Sequence, residues 1–463
     1  MTPAAEQAVD LSVPQRIHVV GAGGAGMSAI ATVLAAMGHE VTGSDLKPSP
    51  MFLRLENAGL RVTVGHDPAN VAGAGALAIS SAIPAGNPEI AEARRLGIPV
   101  YSRADVLTGI AALRRVIAVA GTHGKTTTSS MLSLILVEAG LKPSFIIGGD
   151  LNEIGTNAVW DTGEWLVVEA DESDRTFLRL SPEIAVVMSV EPDHLETYGS
   201  FTALQEAFAQ FLDASQRAVV SGDDAAAAAL AAALPPGKAV TFGLGAATHQ
   251  VGDIAVGRGS VAYSLSGPGG DLGRFEVAVP GEHNALNAVA ATLAASAAGA
   301  GVEVSRRALA RFAGVARRFE FRGERNGVTF VDDYAHLPSE VRSVLRAARA
   351  GGYSRVVCVF QPHRYSRMAS LAPSFADAFL DAAVVVVTEI YSSDEMPRPG
   401  VSGRLVVDAV KAAHPEADVR FAATHEELLA TLRSTLIPGD CCISLEAGDL
   451  TGLPDELLQD DSW

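Results

Sequence analysis

Three cysteines in 463 residues, Cys358 and the adjacent Cys441 and Cys442, are too few and wrongly spaced for a disulfide framework or a CxxC zinc site. Buried apolar positions are the expectation for all three. Aromatic residues make up only 6% of the chain, and no apolar run approaches the roughly 20 residues that a membrane span needs. Basic residues are scarce relative to acidic ones, 35 Lys+Arg against 53 Asp+Glu, leaving a formal net charge of -18. Such a balance repels polyanions, which argues against nucleic acid or an anionic membrane as the main partner, while the missing apolar run argues against membrane insertion; a small anion held by backbone amides remains compatible with it. Residues 1–10 carry acid where a secretory signal would carry base, so the expected location is the cytoplasm.

What the sequence has in quantity is alanine and glycine, in short β-branched runs that alternate with longer helix-forming stretches. This is an α/β pattern, and at roughly 150 residues per domain the length suggests about three domains. Buried parallel strands are predicted at 16–20, 62–64, 76–80, 116–120, 165–169, 184–190, 356–360 and 384–388, with helices such as 27–37 and 126–139 between them. Breaks near 113–115 and 317–322 place boundaries that divide the chain into 1–112, 113–318 and 319–463. Gly and Pro turns between 235 and 280 point to a small antiparallel addition in the middle domain. The alanine run 225–234 is helical in propensity and carries no functional weight.

Directly after the first strand stands Gly21-Ala22-Gly23-Gly24-Ala25-Gly26, a GxGxxG that opens an apolar helix, and a second strand ends at Asp45. The glycines allow a tight turn and the close approach of a diphosphate to backbone N–H groups at a helix N-terminus; an acid at that distance meets a ribose. The pattern suits NAD and a UDP-sugar equally. His18, inside the strand, reads as a core residue. After the strand at 116–120 comes Gly121-Thr122-His123-Gly124-Lys125-Thr126-Thr127, which departs from GxxxxGK[ST] because Val119 stands where the first glycine would fall. Its physics is that of a phosphate loop: amides at a helix start, Lys125 for β/γ charge and the Thr126 hydroxyl for Mg2+. Glu169, Asp171, Glu172 and Asp174 follow one buried strand, and Glu191, Asp193, His194 and Glu196 follow another. Hard carboxylates with one imidazole suit Mg2+ shared with phosphate oxygens better than zinc.

Taken in order, GTHGKTTT, EADES, EPDHLETY, GEHNALNAVAA at 281–291, RRFE at 317–320, DDYAH at 332–336 and QPHRYSR at 361–367 resemble the Mur ligases of peptidoglycan synthesis. The resemblance spans nearly the whole chain. It implies a three-domain architecture: a Rossmann-like N-terminal domain for a UDP-sugar, a central ATPase domain, and a Rossmann-like C-terminal domain for an amino acid. The implied reaction is ATP-driven amide formation. The GAGGAGM start, Ser80-Ser81-Ala82-Ile83 and HRYSR resemble the branch that joins L-alanine to UDP-N-acetylmuramate, with siblings adding another amino acid or a preformed peptide as the alternative.

Carried over by resemblance, Lys125 and Thr126 hold the β/γ-phosphates and one Mg2+, Glu169 ligates that ion, and His194 ligates a second. Asn284 and Asn287 match residues near the adenine, and Arg318 and Asp333 match contacts to phosphate and ribose. Tyr334, Arg364 and Arg367 match the amino-acid pocket. The turn 21–26, with Asp45 and Ser81, matches the UDP-sugar site. Two departures stand out. No lysine occurs in 195–218, where several siblings carry a carbamylated one, and Phe208 lies about where it would fall; His336 is followed by Leu337 where the family often has a second histidine. A dehydrogenase using the first turn for NAD, and a non-catalytic nucleotide-binding module, are the readings from other classes.

Overall fold

The computed structural model describes residues 9–393 and 395–460. Three sheets are present. Strands β1 (Arg16–Val20), β2 (Glu40–Asp45), β3 (Arg61–Val64), β4 (Ala76–Ile79) and β5 (Val100–Ser102) form the first, in the order β3-β2-β1-β4-β5 and wholly parallel. The order reverses between β1 and β4, so their carboxyl ends border the crevice where open parallel sheets take ligands.

The second sheet is built on β6 (Arg115–Ala120), β7 (Ser144–Leu151), β8 (Thr156–Val159), β9 (Trp165–Glu169), β10 (Ile184–Val187), β11 (Arg217–Ser221) and β12 (Ala239–Gly243). Their order is β12-β11-β10-β6-β9-β7-β8, parallel apart from the β7/β8 hairpin at its edge. β6, β9 and β10 are buried almost throughout, which is why they read as continuous apolar runs. β13 (His249–Val256) joins β12 in parallel through Phe242↔His249 and Gly243↔Gln250. The chain then runs through β14 (Val261–Gly267) and reverses at 268–269 into β15 (Gly270–Val277).

By compactness the chain divides into two units, 1–250 with 267–269 and 287–308, and 251–266 with 270–286 and 309–463. The first unit contains the first sheet and strands β6–β12 of the second. One continuous apolar cluster includes Ile30, Val33 and Leu34 from the helix Ala25–Ala36, Val168 of β9, and Phe177 and Phe208. Phe208 is fully buried, with its ring 5.1 Å from that of Phe177.

The third sheet lies in the second unit. It comprises β16 (Glu320–Arg325), β17 (Val328–Asp333), β18 (Arg355–Gln361), β19 (Val384–Thr388), β20 (Val419–Ala422) and β21 (Asp440–Glu446), in the order β16-β17-β21-β18-β19-β20. Only β16 is antiparallel to its neighbour. Apolar clusters cover both faces. Cys358, Cys441 and Cys442 are buried in β18 and β21, as expected, and burial pushes their thiols up, that of Cys441 to about 12. Among the described residues no helix is long and apolar enough to cross a membrane.

Candidate active site

Gly121 and Gly124 both have positive φ, 133° and 79°, and each also faces a close neighbour. A Cβ on Gly121 would lie 2.9 Å from the backbone N of Ser189, and one on Gly124 would lie 2.8 Å from Asn287 Oδ1. Only glycine meets both demands. The loop is pinned to the end of β10: Thr122 N donates to Ser189 O (3.0 Å), Glu191 N donates to Thr122 Oγ1 (2.8 Å), and His123 Nε2 lies 2.8 Å from Glu191 Oε1. The helix Lys125–Glu138 starts on Gly124 with no side-chain cap, so its first amides are available to an anion.

Lys125 turns back over its own loop. Its Nζ donates to Gly121 O at 2.7 Å and to both oxygens of Glu172 at 2.9 and 2.8 Å. Burial opposes the ammonium charge, but Glu172, Asp171 and Glu169 outweigh it and hold the group protonated. The same burial pushes the Glu172 carboxyl up, against the pull of Lys125. Beside this pair Thr126 Oγ1 donates to Glu169 Oε1 (3.2 Å), while Gly148 N donates to Glu169 Oε2 (2.7 Å). A hydroxyl and a carboxylate at the foot of a phosphate loop are a donor set that Mg2+ accepts, because that ion keeps waters and phosphate oxygens for the rest of its shell. Among the described residues no group of three or more His, Cys, Asp or Glu is arranged to hold a metal unaided.

His194 adopts a left-handed backbone, φ 52°, at the start of a short helix. Its ring faces Asp193 (3.3 Å) and Glu196 (3.6 Å). The segment is tied to the acidic loop, since Thr197 Oγ1 donates to Ser173 O (2.9 Å) and Tyr198 OH donates to Glu172 O (2.6 Å). Asn284 and Asn287 are buried on the helix Glu282–Ala297; Asn284 Nδ2 donates to Pro280 O, and Asn287 Oδ1 accepts from Thr128 Oγ1 at 3.4 Å.

The turn 21–26 occupies the carboxyl end of β1. Gly21 has φ 80°, and a Cβ there would press at 3.2 Å on Ser80 and Ile83 from the end of β4. Ser80 makes this approach, whereas Ser81 is exposed. Asp45 Oδ2 accepts from Gly23 N (2.8 Å), and Ser49 Oγ donates to Gly23 O (2.8 Å). Arg103 lies across the far end of the turn: a Cβ on Gly26 would be 2.9 Å from its Nε. Its Nη1 is 3.5 Å from Asp174 Oδ2 in the acidic loop. Neither Arg103 nor the Glu172 pairing carries a signal in the spacing of the sequence, because both depend on tertiary approach.

The second unit gathers a different set. Arg317 and Arg318 stand over the ring of Tyr334, at 4.8 and 5.1 Å, and Arg317 also pairs with Glu446. Asp333 is buried, accepting from Phe319 N and Ala335 N at 2.7 Å each, and burial pushes its carboxyl up to about 6 against Arg318. Rings follow one another from Tyr334 to His336 (5.4 Å), His363 (5.6 Å) and Tyr391 (5.8 Å). Arg367 is buried with Nη1 3.0 Å from His363 Nδ1, while Arg364 precedes the helix Tyr365–Leu371 with φ 67°. Thus His363, from the QPHRYSR segment, meets His336 where sequence reading looks for a second histidine at 337; Leu337 itself is buried. A cavity of ≈ 630 Å³ opens at the carboxyl ends of β18, β19 and β20, lined among others by Gln361, Glu389, Tyr391, His425 and Asp449. None of Tyr334, Arg364 and Arg367 lines it.

Comparison with known proteins places these features in a family. Models described as "Mur ligase family, catalytic domain", "Mur ligase middle domain" and "Mur ligase, glutamate ligase domain" match residues 16–115, 119–295 and 317–445. The chain is 45% identical over 448 residues to the UDP-N-acetylmuramate–L-alanine ligase of Rubrobacter xylanophilus, covering 96% of this chain and 99% of that protein. It is 46% identical to the enzyme of the same name from Kineococcus radiotolerans, with 96% and 95% covered. The crystal structure of UDP-N-acetylmuramate-alanine ligase MurC from Thermotoga maritima superposes with a TM-score of 0.82 at 28% identity, covering 96% and 99%. The murein peptide ligase Mpl of Psychrobacter arcticus shares the fold, with a TM-score of 0.69 at 24% identity and 96% and 98% covered.

Proposed function

The chain belongs to the Mur ligase family, and from that premise we propose that its reaction is the joining of L-alanine to the carboxylate of UDP-N-acetylmuramate, driven by ATP, in peptidoglycan precursor synthesis. The observation that carries the reading is the pairing, within one compact unit, of two anion-binding turns at strand carboxyl ends. The turn 21–26 suits a diphosphate; the loop 121–127 suits ATP. Phe208, locked against Phe177, offers no amine to carbamylate, which favours the alanine-adding branch over its siblings.

In this mechanism the muramate carboxylate oxygen attacks the γ-phosphorus of ATP, forming an O–P bond as the bridging P–O bond breaks and ADP leaves. The alanine amine then attacks the acyl carbon, a proton leaves the nitrogen, and phosphate departs with the C–O electron pair. Both reactants of the first step are anions, so neutralising charge and holding them in line are the main demands. Lys125 supplies a protonated ammonium over the loop, and the amides after Gly124 supply further positive potential. Mg2+, when bound, neutralises the β/γ-phosphates; Thr126 and Glu169 would hold it, with His194 toward a second ion. Asn284 and Asn287 are assigned to the adenine side, Arg318 and Asp333 to phosphate and ribose, and Tyr334, Arg364 and Arg367 to the amino acid. The cytoplasm, where ATP and UDP-sugars are found, is the location that fits.

The test is phosphate release from ATP with Mg2+ and UDP-N-acetylmuramate against a panel of amino acids. Release that requires both the UDP-sugar and L-alanine is the expected result. Release with glutamate or a preformed peptide in place of alanine would move the chain to a sibling branch.

A further inference from the structure

Tyr391 belongs to two places at once. It ends the row of rings that runs from Tyr334 through His336 and His363, and of those four it alone lines the cavity of ≈ 630 Å³ at the carboxyl ends of β18, β19 and β20. Backbone contacts fix it on both sides of His363: Tyr391 N donates to Pro362 O and Arg364 N donates to Tyr391 O, each at 2.9 Å, around a parallel bridge that pairs His363 with Tyr391. Its ring lies 11° from the plane of the imidazole, 5.8 Å centre to centre, and a Cβ on Gly448 would come within 2.6 Å of its Cγ. Packed against a ring and a glycine backbone, the tyrosine cannot swing aside without losing both contacts. His363 Nδ1 in turn lies 3.0 Å from Arg367 Nη1, so the tyrosine borders the set assigned to the amino acid. The cavity it also borders has the volume of pockets that hold a whole small molecule, about 300–1,000 Å³. Glu389, Asp449 and Glu456 line it, with His425 Nε2 2.7 Å from Glu456 Oε2.

We infer that Tyr391 is a specificity-determining residue for the acceptor: its ring closes the amino-acid pocket against the cavity and confines the acceptor to a side chain of alanine's size. The inference rests on the proposed reaction and on the assignment of Tyr334, Arg364 and Arg367 to the amino acid. An apolar pocket gains affinity with every added methylene that fits, so attraction alone cannot select the smallest member of a series. Selecting it takes a wall that the larger members strike. Tyr391 supplies a wall with a void beside it, and cutting the ring back joins the pocket to that void. The carboxylates there decide what enters: a long side chain ending in an ammonium, as in lysine, in preference to an apolar or acidic one of similar length.

The experiment measures phosphate release from ATP with Mg2+ and UDP-N-acetylmuramate, as kcat/KM for L-alanine, L-norleucine, L-lysine and L-glutamate, in the unsubstituted chain and in Tyr391→Phe, Tyr391→His and Tyr391→Ala. Tyr391→Ala should raise the ratio of L-lysine to L-alanine at least tenfold. Tyr391→His, whose smaller ring still stacks on His363, should raise it less, and Tyr391→Phe, which keeps the six-membered ring, hardly at all. L-norleucine, as long as lysine but uncharged, should gain less than L-lysine, and L-glutamate nothing. Adding Glu389→Gln to Tyr391→Ala should remove part of the lysine gain and none of the norleucine gain. Circular dichroism shows which variants are folded. A flat ratio in folded Tyr391→His or Tyr391→Ala, or loss of alanine turnover there with no gain for any longer amino acid, would overturn the wall. Equal gains for L-lysine and L-norleucine would overturn the choice of a basic side chain. Absence of alanine-dependent release in the unsubstituted chain would instead overturn the proposed reaction, and this inference with it.

Discussion

Lys125 Nζ sits 2.8 Å from Glu172 Oε2 and 2.7 Å from Gly121 O, enclosed by the loop it belongs to. With ATP in the loop, as proposed, phosphate oxygens would have to compete with Glu172 for one ammonium. Lys125→Ala should abolish nearly all turnover while sparing UDP-sugar binding, and it should destabilise the first unit by about 3 kcal/mol, because a buried carboxylate loses its partner. Lys125→Ala with Glu172→Gln should recover most of that stability and none of the turnover. Thermal melts and phosphate-release rates on the same samples separate the two effects.

Thr126 and Glu169 share a hydrogen bond at the foot of the loop. Glu169→Ala, or His194→Ala, should raise the Mg2+ concentration needed for half-maximal rate, with partial rescue at high Mg2+. Identical Mg2+ titrations in substituted and unsubstituted enzyme would make these ordinary loop residues.

A valine at position 23 would bring its Cβ within 2.9 Å of both Asp45 Oδ2 and Ser49 Oγ. Gly23→Val should raise the KM for the UDP-sugar more than that for ATP. Steady-state kinetics alongside a circular dichroism spectrum test this, equal effects on both substrates pointing to a damaged fold.

Glu89 is fully buried in the first sheet's unit, accepting from Ser44 Oγ (2.7 Å) and Asn70 Nδ2 (2.6 Å), with His66 Nδ1 at 2.9 Å and His18 Nε2 at 3.5 Å. Burial alone would raise its carboxyl, yet His18, Asn70 and Ser44 together bring it down to about 2 from an ordinary 4.5. A lowered carboxylate contributes stability above its unfolded value, near 4.5, and loses it as pH falls toward 2. The advantage over Glu89→Gln should amount to about 2–3 kcal/mol at neutral pH and shrink steadily below pH 4.5. Melting temperatures of both proteins between pH 3 and 7 decide it, a constant gap excluding the linkage.

In the second unit, Arg364→Lys and Arg367→Lys should each raise the KM for L-alanine about tenfold, roughly 1.4 kcal/mol, with the KM for ATP little changed, because an ammonium cannot fork onto a carboxylate. Unaltered alanine kinetics in both variants would remove them from the pocket.

How much of this is legible without the structure depends on distance along the chain. The loop 121–127 and the turn 21–26 are read correctly as glycine-built turns at helix starts, because their geometry is set by neighbours in sequence. Glu172 stands in plain view among four acids, yet its pairing with Lys125 spans 47 residues and nothing local singles it out. β17 and β21, central to the third sheet, escape a search for apolar runs because buried charges interrupt them: β17 ends in Asp332 and Asp333, and β21 runs from Asp440, paired with Arg355, to Glu446, paired with Arg317. Asp440 and Glu446 are satisfied by arginines far off in sequence.

The three thiols locked in β18 and β21 give the protein a built-in clock. Cys358, Cys441 and Cys442 are the chain's full complement of cysteine, and all three sit in two adjacent strands at the middle of one sheet. A thiol is alkylated as its thiolate, which burial suppresses here, so reagent must wait for those strands to part. The rate of alkylation therefore measures how often the heart of the third sheet opens, with no engineered label and no competing signal from the first two sheets. Ligands that slow the labelling tighten that sheet, and ligands that leave it unchanged do not reach it.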